Sequence, residues 1–142
     1  MTCLAATPLA ACADDASSGT SAKNPQTAFD AAQAAWEESG PDAYSLHLVS
    51  SCGERAGLGE FAITVDADGA TAKPLDKWSD QPRIASVPDL FDEIKAGLDG
   101  NAESVQVEYH PTLGYPQRID IDYVRKAIDD EVCYRVSDFT SG

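Results

Sequence analysis

The sequence is poor in the groups that most often carry catalysis or bind polyanions. Among 142 residues only 2 are histidine, and 10 Lys plus Arg face 24 Asp plus Glu, a net charge of -14. So acidic an exterior repels phosphate backbones and anionic lipid headgroups, and nucleic acid is excluded as a partner. Two histidines are little material for a general base or a metal cluster, and no Cys-x-x-Cys arm is present, so neither a metal nor a cofactor is implied. No apolar run approaches the roughly 20 residues of a membrane-spanning helix. A Gly-x-Ser-x-Gly elbow is also missing, so nothing marks an activated serine and no catalytic residue is assigned.

What is present begins with small, uncharged residues from Met1 to Cys12, followed at once by Asp14 and Asp15. Leu9-Ala10-Ala11-Cys12 resembles the lipobox of bacterial lipoproteins, whose cysteine takes a diacylglyceryl group while the peptide before it is removed. The resemblance implies a signal peptide over 1–11, lipid attachment at Cys12 and a place on the extracytoplasmic face of the cell membrane. The apolar run is short and no Lys or Arg precedes it, so the start of translation is expected upstream. The alternative is an alanine-rich end with an incidental cysteine. Residues 12–24 have the composition of a lipid-anchored, disordered tether, spanning on the order of 20 Å. The folded domain is expected over 25–142.

Loss of 1–11 would remove Cys3 and commit Cys12 to lipid, leaving Cys52 and Cys133 as an even pair in an oxidising compartment. Strand parity complicates a bond between them. Cys52 is in phase with Leu46 and Leu48, whereas Cys133 is out of phase with Val132 and Tyr134, so a bulge or a strand end must intervene. The alternative is a buried pair of free thiols.

Asn24-Pro25 is an N-cap followed by proline at the first helical position, and Phe29, Ala32 and Trp36 share a face until Ser39-Gly40-Pro41. Alternation about Tyr44, Leu46 and Leu48, and about Phe61, Ile63 and Val65, predicts two strands; Ala70 to Leu75 predicts a third after the turn Asp66-Ala67-Asp68-Gly69. Ser86 caps a second helix with the stripe Val87, Leu90, Phe91, Ile94 and Leu98. Three further strands follow, about Val105, about Ile119 and from Glu131 to Phe139. This order predicts a single α+β domain, α-β-β-β-α-β-β-β, with two helices packed on one face of an antiparallel sheet and the other face polar. The halves repeat in element order but without matching residues, so internal duplication is a weak reading.

Trp36, Tyr44-Ser45-Leu46, Ser51-Cys52-Gly53, Leu90-Phe91-Asp92, Leu113-Gly114-Tyr115-Pro116, Ile119-Asp120-Ile121-Asp122 and Asp129-Asp130-Glu131 together resemble a family of bacterial secreted or lipid-anchored domains of unknown function. The resemblance spans roughly Gln26 to Phe139. It implies an extracytoplasmic location and a cysteine pair at Cys52 and Cys133, and it brings no activity.

Two candidate sites remain. The loop formed by His110, Leu113, Gly114, Tyr115 and Pro116 is shaped by Gly114 and Pro116, and serves either recognition or strand register, the second being favoured. The acidic cluster Asp120, Asp122, Asp129, Asp130 and Glu131 could gather oxygen ligands for calcium, although a solvated face explains it more simply. Asp66 to Gly69 is read as a hairpin turn, both histidines as solvent-facing, and Trp78 as a lid over the sheet edge in preference to an exposed anchor. The expected function is a lipid-anchored binding module, held to the membrane by its lipid and open to an envelope protein or ligand through the loop and the helix-free sheet face. The competing expectations are an envelope enzyme using the acidic cluster, with or without a metal, and a calcium-stabilised structural domain.

Overall fold

Asn24 and Pro25 open the first helix, α1 (Pro25–Ser39), in the computed structural model, which describes residues 24–53, 57–100, 102–124 and 130–142. The signal peptide, Cys3, the lipid site Cys12, nearly all of the tether, and Asp129 lie outside the described residues. Asn24 Oδ1 accepts the Gln26 N–H at 2.9 Å, satisfying a donor that the helix itself cannot. Helical spacing then turns Phe29, Ala32 and Trp36 inward.

Six strands follow the alternation read from the sequence: β1 (Tyr44–Cys52), β2 (Gly59–Asp66), β3 (Gly69–Pro74), β4 (Ser104–Tyr109), β5 (Pro116–Asp122) and β6 (Glu131–Ser141). The last runs to Ser141, two residues beyond the expected end at Phe139. Between β3 and β4 lies α2 (Val87–Asp99), whose N-cap Ser86 Oγ accepts the Asp89 N–H at 3.3 Å while Asp89 Oδ2 accepts the Ala85 N–H at 2.9 Å. The acidic side chain also suits the positive end of the helix. The β2–β3 hairpin turns where expected, with the Asp68 N–H donating to Asp66 Oδ1 at 2.8 Å.

The strands form one open antiparallel sheet in the order β3-β2-β1-β6-β5-β4, giving a single α+β domain. The first three strands step from the centre to one edge, and α2 carries the chain to the opposite edge, from which the last three step back. The halves lie side by side in the same order, β3-β2-β1 beside β6-β5-β4, but the antiparallel β1–β6 pairing reverses each strand of the second half relative to its counterpart, so the two are not related by translation.

Both helices cover one sheet face. Phe61, Ile63, Leu90, Ile94, Ile119, Ile121 and Val132 fill the space between, and Gly97 of α2 is set against Ile121 and Val105. An aromatic cluster closes one end, with Trp36 edge-on to Tyr44 at 5.3 Å and Tyr115 stacked on Phe139 at 4.3 Å. Burial raises the ionisation of Tyr44 and Tyr134 above the usual phenol range and pushes Tyr109 to about 12. Among the described residues no helix is long and apolar enough to cross a membrane.

Two irregularities break the β1–β6 ladder. Ser50 pairs with Tyr134 but Cys52 with Cys133, so Ser51 is an extra residue, and the bulge turns Cys52 to the helix-free face. There it meets Cys133 in a disulfide, with the Cα atoms 5.2 Å apart. The second irregularity lies at Asp138, whose φ of 52° is the one positive value outside glycine among the described residues. It lets Val136 and Phe139, three residues apart, both pack against the core.

Candidate functional site on the open sheet face

Alternation that buries Leu46, Leu48 and Ile63 puts Ser45, His47, Glu60, Ala62 and Thr64 on the helix-free face. Pairing of β6 with β1 adds Ser137 directly opposite His47, and the bulge adds Asp138. His47 is their centre: Nε2 lies 3.2 Å from Glu60 Oε2, and Nδ1 lies 3.3 Å from Ser137 Oγ and 4.0 Å from Asp138 Oδ2. With Leu75, all of these but Ser137 line a shallow concavity of about 420 Å³. The expected solvent-facing histidine is thus half-buried, with both ring nitrogens engaged.

A serine, an imidazole and a carboxylate in line are the residue types of a nucleophile with its base. Catalysis also needs stabilisation of the charge that develops on substrate oxygen. Both helices lie on the opposite face, so neither N-terminus can serve that role at His47. The arrangement holds an imidazole and hydroxyls at fixed positions, which suits recognition of a polar ligand.

Elsewhere on the same face the acidic residues are spread along the strands. Asp120 is taken by two arginines: its Oδ2 accepts Arg118 Nε–H at 2.7 Å, and its Oδ1 accepts from both Arg135 terminal nitrogens at 3.2 Å. Asp122 stands opposite Glu131 in the ladder, and its buried Oδ1 has no hydrogen-bond partner among the described residues. Asp130 adjoins this pair in sequence. Among the described residues, Cys52, Glu131 and Cys133 are grouped closely enough to share an ion, but the disulfide commits both sulfurs.

The loop from His110 to Pro116 turns inward. Gly114 has φ 79°, and a Cβ there would overlap the Ala32 carbonyl oxygen of α1. Tyr115 is 6% exposed under Trp36 and Phe139, and Pro116 is fully buried. His110 stacks on Tyr115 at 4.9 Å, and its Nδ1 accepts the Leu113 N–H at 3.0 Å. It is a loop organiser, contrary to the solvent-facing reading. Leu113 is half-buried, and only Pro111 and Thr112 of this connection are well exposed. Trp78 corrects another expectation: it is 80% exposed and covers no sheet edge.

The His47 cluster was not legible in the sequence because Ser137 meets His47 only through the β1–β6 pairing and Asp138 turns to that face at a bulge. One signal was present. The apolar series Val132, Tyr134, Val136 breaks to Phe139, and that slip of one residue marks the bulge.

No curated protein and no solved structure gives a significant match to the chain. Residues 28–141, nearly the whole described domain, match the family described as Family of unknown function (DUF6174), and the chain belongs to that family.

Proposed function

We propose that this chain is an extracytoplasmic binding module, tied to the membrane by lipid on Cys12 and taking a polar envelope ligand on its helix-free sheet face. The observation that carries the binding role is the concavity about His47, where strand pairing sets Ser137 and a bulge turns Asp138 beside an imidazole already paired with Glu60. Side chains fixed in this way on a paired sheet lose little freedom when a ligand arrives. The anchoring half rests on the resemblance of Leu9-Ala10-Ala11-Cys12 to a lipobox, and the disulfide suits an oxidising compartment. The Asp120 pairing with Arg118 and Arg135 weighs against an enzymatic or calcium role for the acidic cluster.

Two measurements test this. Mass spectrometry of protein from its native membrane is expected to show an acylated N-terminal Cys12, and an intact Met1 ends the anchoring reading. For binding, isotope-labelled domain is titrated with fractionated soluble envelope material. Amide shifts confined to Ser45, His47, Glu60, Thr64 and Leu75, and lost in His47→Ala, are expected; shifts elsewhere and none here overturn the site.

A further inference from the structure

Leu58, Leu75 and Trp78 are three of the four large hydrophobic residues exposed among the described residues, at 37%, 51% and 80%. All three stand on one rim, where the chain leaving β3 folds back against the start of β2. The Leu75 N–H donates to the Glu60 carbonyl at 2.9 Å, the Asp80 N–H to the Leu58 carbonyl at 2.7 Å, and the Glu60 N–H to Ser79 Oγ at 3.1 Å. Three cations stand here, beside the carboxylates of Glu60, Asp76 and Asp80. Lys77 Nζ lies 4.8 Å from the Trp78 ring centroid, Arg83 packs beside Gly57 next to Leu58, and Lys73 precedes the last residue of the edge strand. The two carboxylates of the segment are turned to backbone: Asp76 Oδ1 accepts the Trp78 N–H at 2.7 Å and Asp80 Oδ2 accepts the Leu58 N–H at 2.9 Å.

We propose that this rim is a bilayer-contact surface, with Leu58, Leu75 and Trp78 entering the interfacial layer and Lys73, Lys77 and Arg83 meeting anionic lipid headgroups. An indole has an apolar body and one N–H, the combination that favours the water–hydrocarbon boundary, and a lysine stem can lie along it with the ammonium in water. An indole that stands this far off the surface suits a fluid layer that closes around it better than a preformed protein face. The net charge of -14 opposes approach, but charges more than about 8 Å away are screened at physiological ionic strength, and at the rim Lys73, Lys77 and Arg83 offset Glu60, Asp76 and Asp80, so the apolar side chains carry the contact. The inference rests on the anchoring reading for nearness to the membrane, since a short tether keeps the domain at high effective concentration there. The contact itself needs no acyl chain.

The test uses the full chain carrying Cys12→Ser, mixed with vesicles of phosphatidylethanolamine and phosphatidylglycerol. Trp36 is 9% exposed inside the aromatic cluster, so a fluorescence change on adding vesicles reports Trp78. A blue shift and co-flotation with vesicles are expected, with Trp78→Ala lowering the bound fraction about tenfold and Lys77→Glu lowering it further at low salt. An unmoved Trp78 emission, as a rim reserved for a protein partner would give, overturns the proposal, and so does undiminished flotation of Trp78→Ala. Acylated native Cys12 together with an unmoved Trp78 sinks the rim alone. A blue-shifted, vesicle-bound Trp78 with unacylated native Cys12 sinks the anchoring reading and leaves the rim contact standing.

Discussion

Cys52 and Cys133 oppose one another across β1 and β6, with Cα atoms 5.2 Å apart, because the ladder slips by one residue after Ser50. The bond joins positions 81 residues apart, so in the chain-entropy account it stabilises the domain by up to about 4.5 kcal/mol. Urea unfolding of the Cys52→Ala, Cys133→Ala double variant is expected to show a loss approaching that figure. A change under about 1 kcal/mol would mean that the reduced unfolded chain already holds the two strands near each other.

The bulge makes a sharper prediction. Deleting Ser51 restores unbroken alternation and moves Cys52 into the position following Ser50, which also faces Cys133. The deletion variant is expected to form the disulfide, as read by non-reducing peptide mapping. Free thiols in that variant would mean that the bulge itself, and not only the parity it corrects, is required.

Gly114→Ala adds a Cβ against the Ala32 carbonyl oxygen at a backbone angle that favours glycine. Helix α1 must shift to relieve it, at a cost of about 3 kcal/mol. Denaturant titration followed by Trp36 fluorescence is expected to show that loss, together with a changed native spectrum.

Alkaline pH acts through the buried phenols. Tyr109 releases its proton at about 12 when folded and near 10.0 when unfolded, and burial shifts Tyr44 and Tyr134 in the same direction. Above the unfolded value the unfolded chain binds fewer protons than the folded one, so stability falls as pH rises. The contribution is complete below about pH 10 and is lost progressively as pH climbs toward 12. Tyr109→Phe is expected to flatten this decline in a series of urea midpoints across the same range.

Arg118 and Arg135 stand directly opposite in the β5–β6 ladder, and Asp120 lies between their charges. Asp120→Asn leaves like charges facing each other, an expected loss of about 1 kcal/mol that shrinks in molar salt. A loss independent of salt would point to hydrogen bonding instead of charge.

Most of the architecture was legible in the sequence because it follows from period and punctuation. Phe29, Ala32 and Trp36 mark one helical face, Asn24 and Ser86 mark helix starts, and Leu46, Leu48, Ile119 and Ile121 keep strict alternation. Strand order was not legible, since pairing β6 with β1 depends on which edges meet in space. The role of the loop about Gly114 could be narrowed but not decided, because only the approach of α1 shows why glycine stands there. The His47 cluster escaped for a similar reason: Ser137 lies 90 residues from His47 and meets it by strand pairing, and Asp138, turned to it at a bulge, looks from its neighbours like any polar strand residue. Trp78 was misplaced because bulky aromatics are usually buried, a tendency that says nothing of a single loop position.

The seam between β1 and β6 also sets when folding can finish. The sheet's central pairing joins β1 to β6, so a growing chain carries a three-stranded piece, β1 to β3, and the β4–β5 pair, each with an open edge, until β6 emerges. Such long-range closure is slow, and the exposed edges invite pairing with other chains. Once the seam zips, the sulfur bridge beside it locks the two halves together.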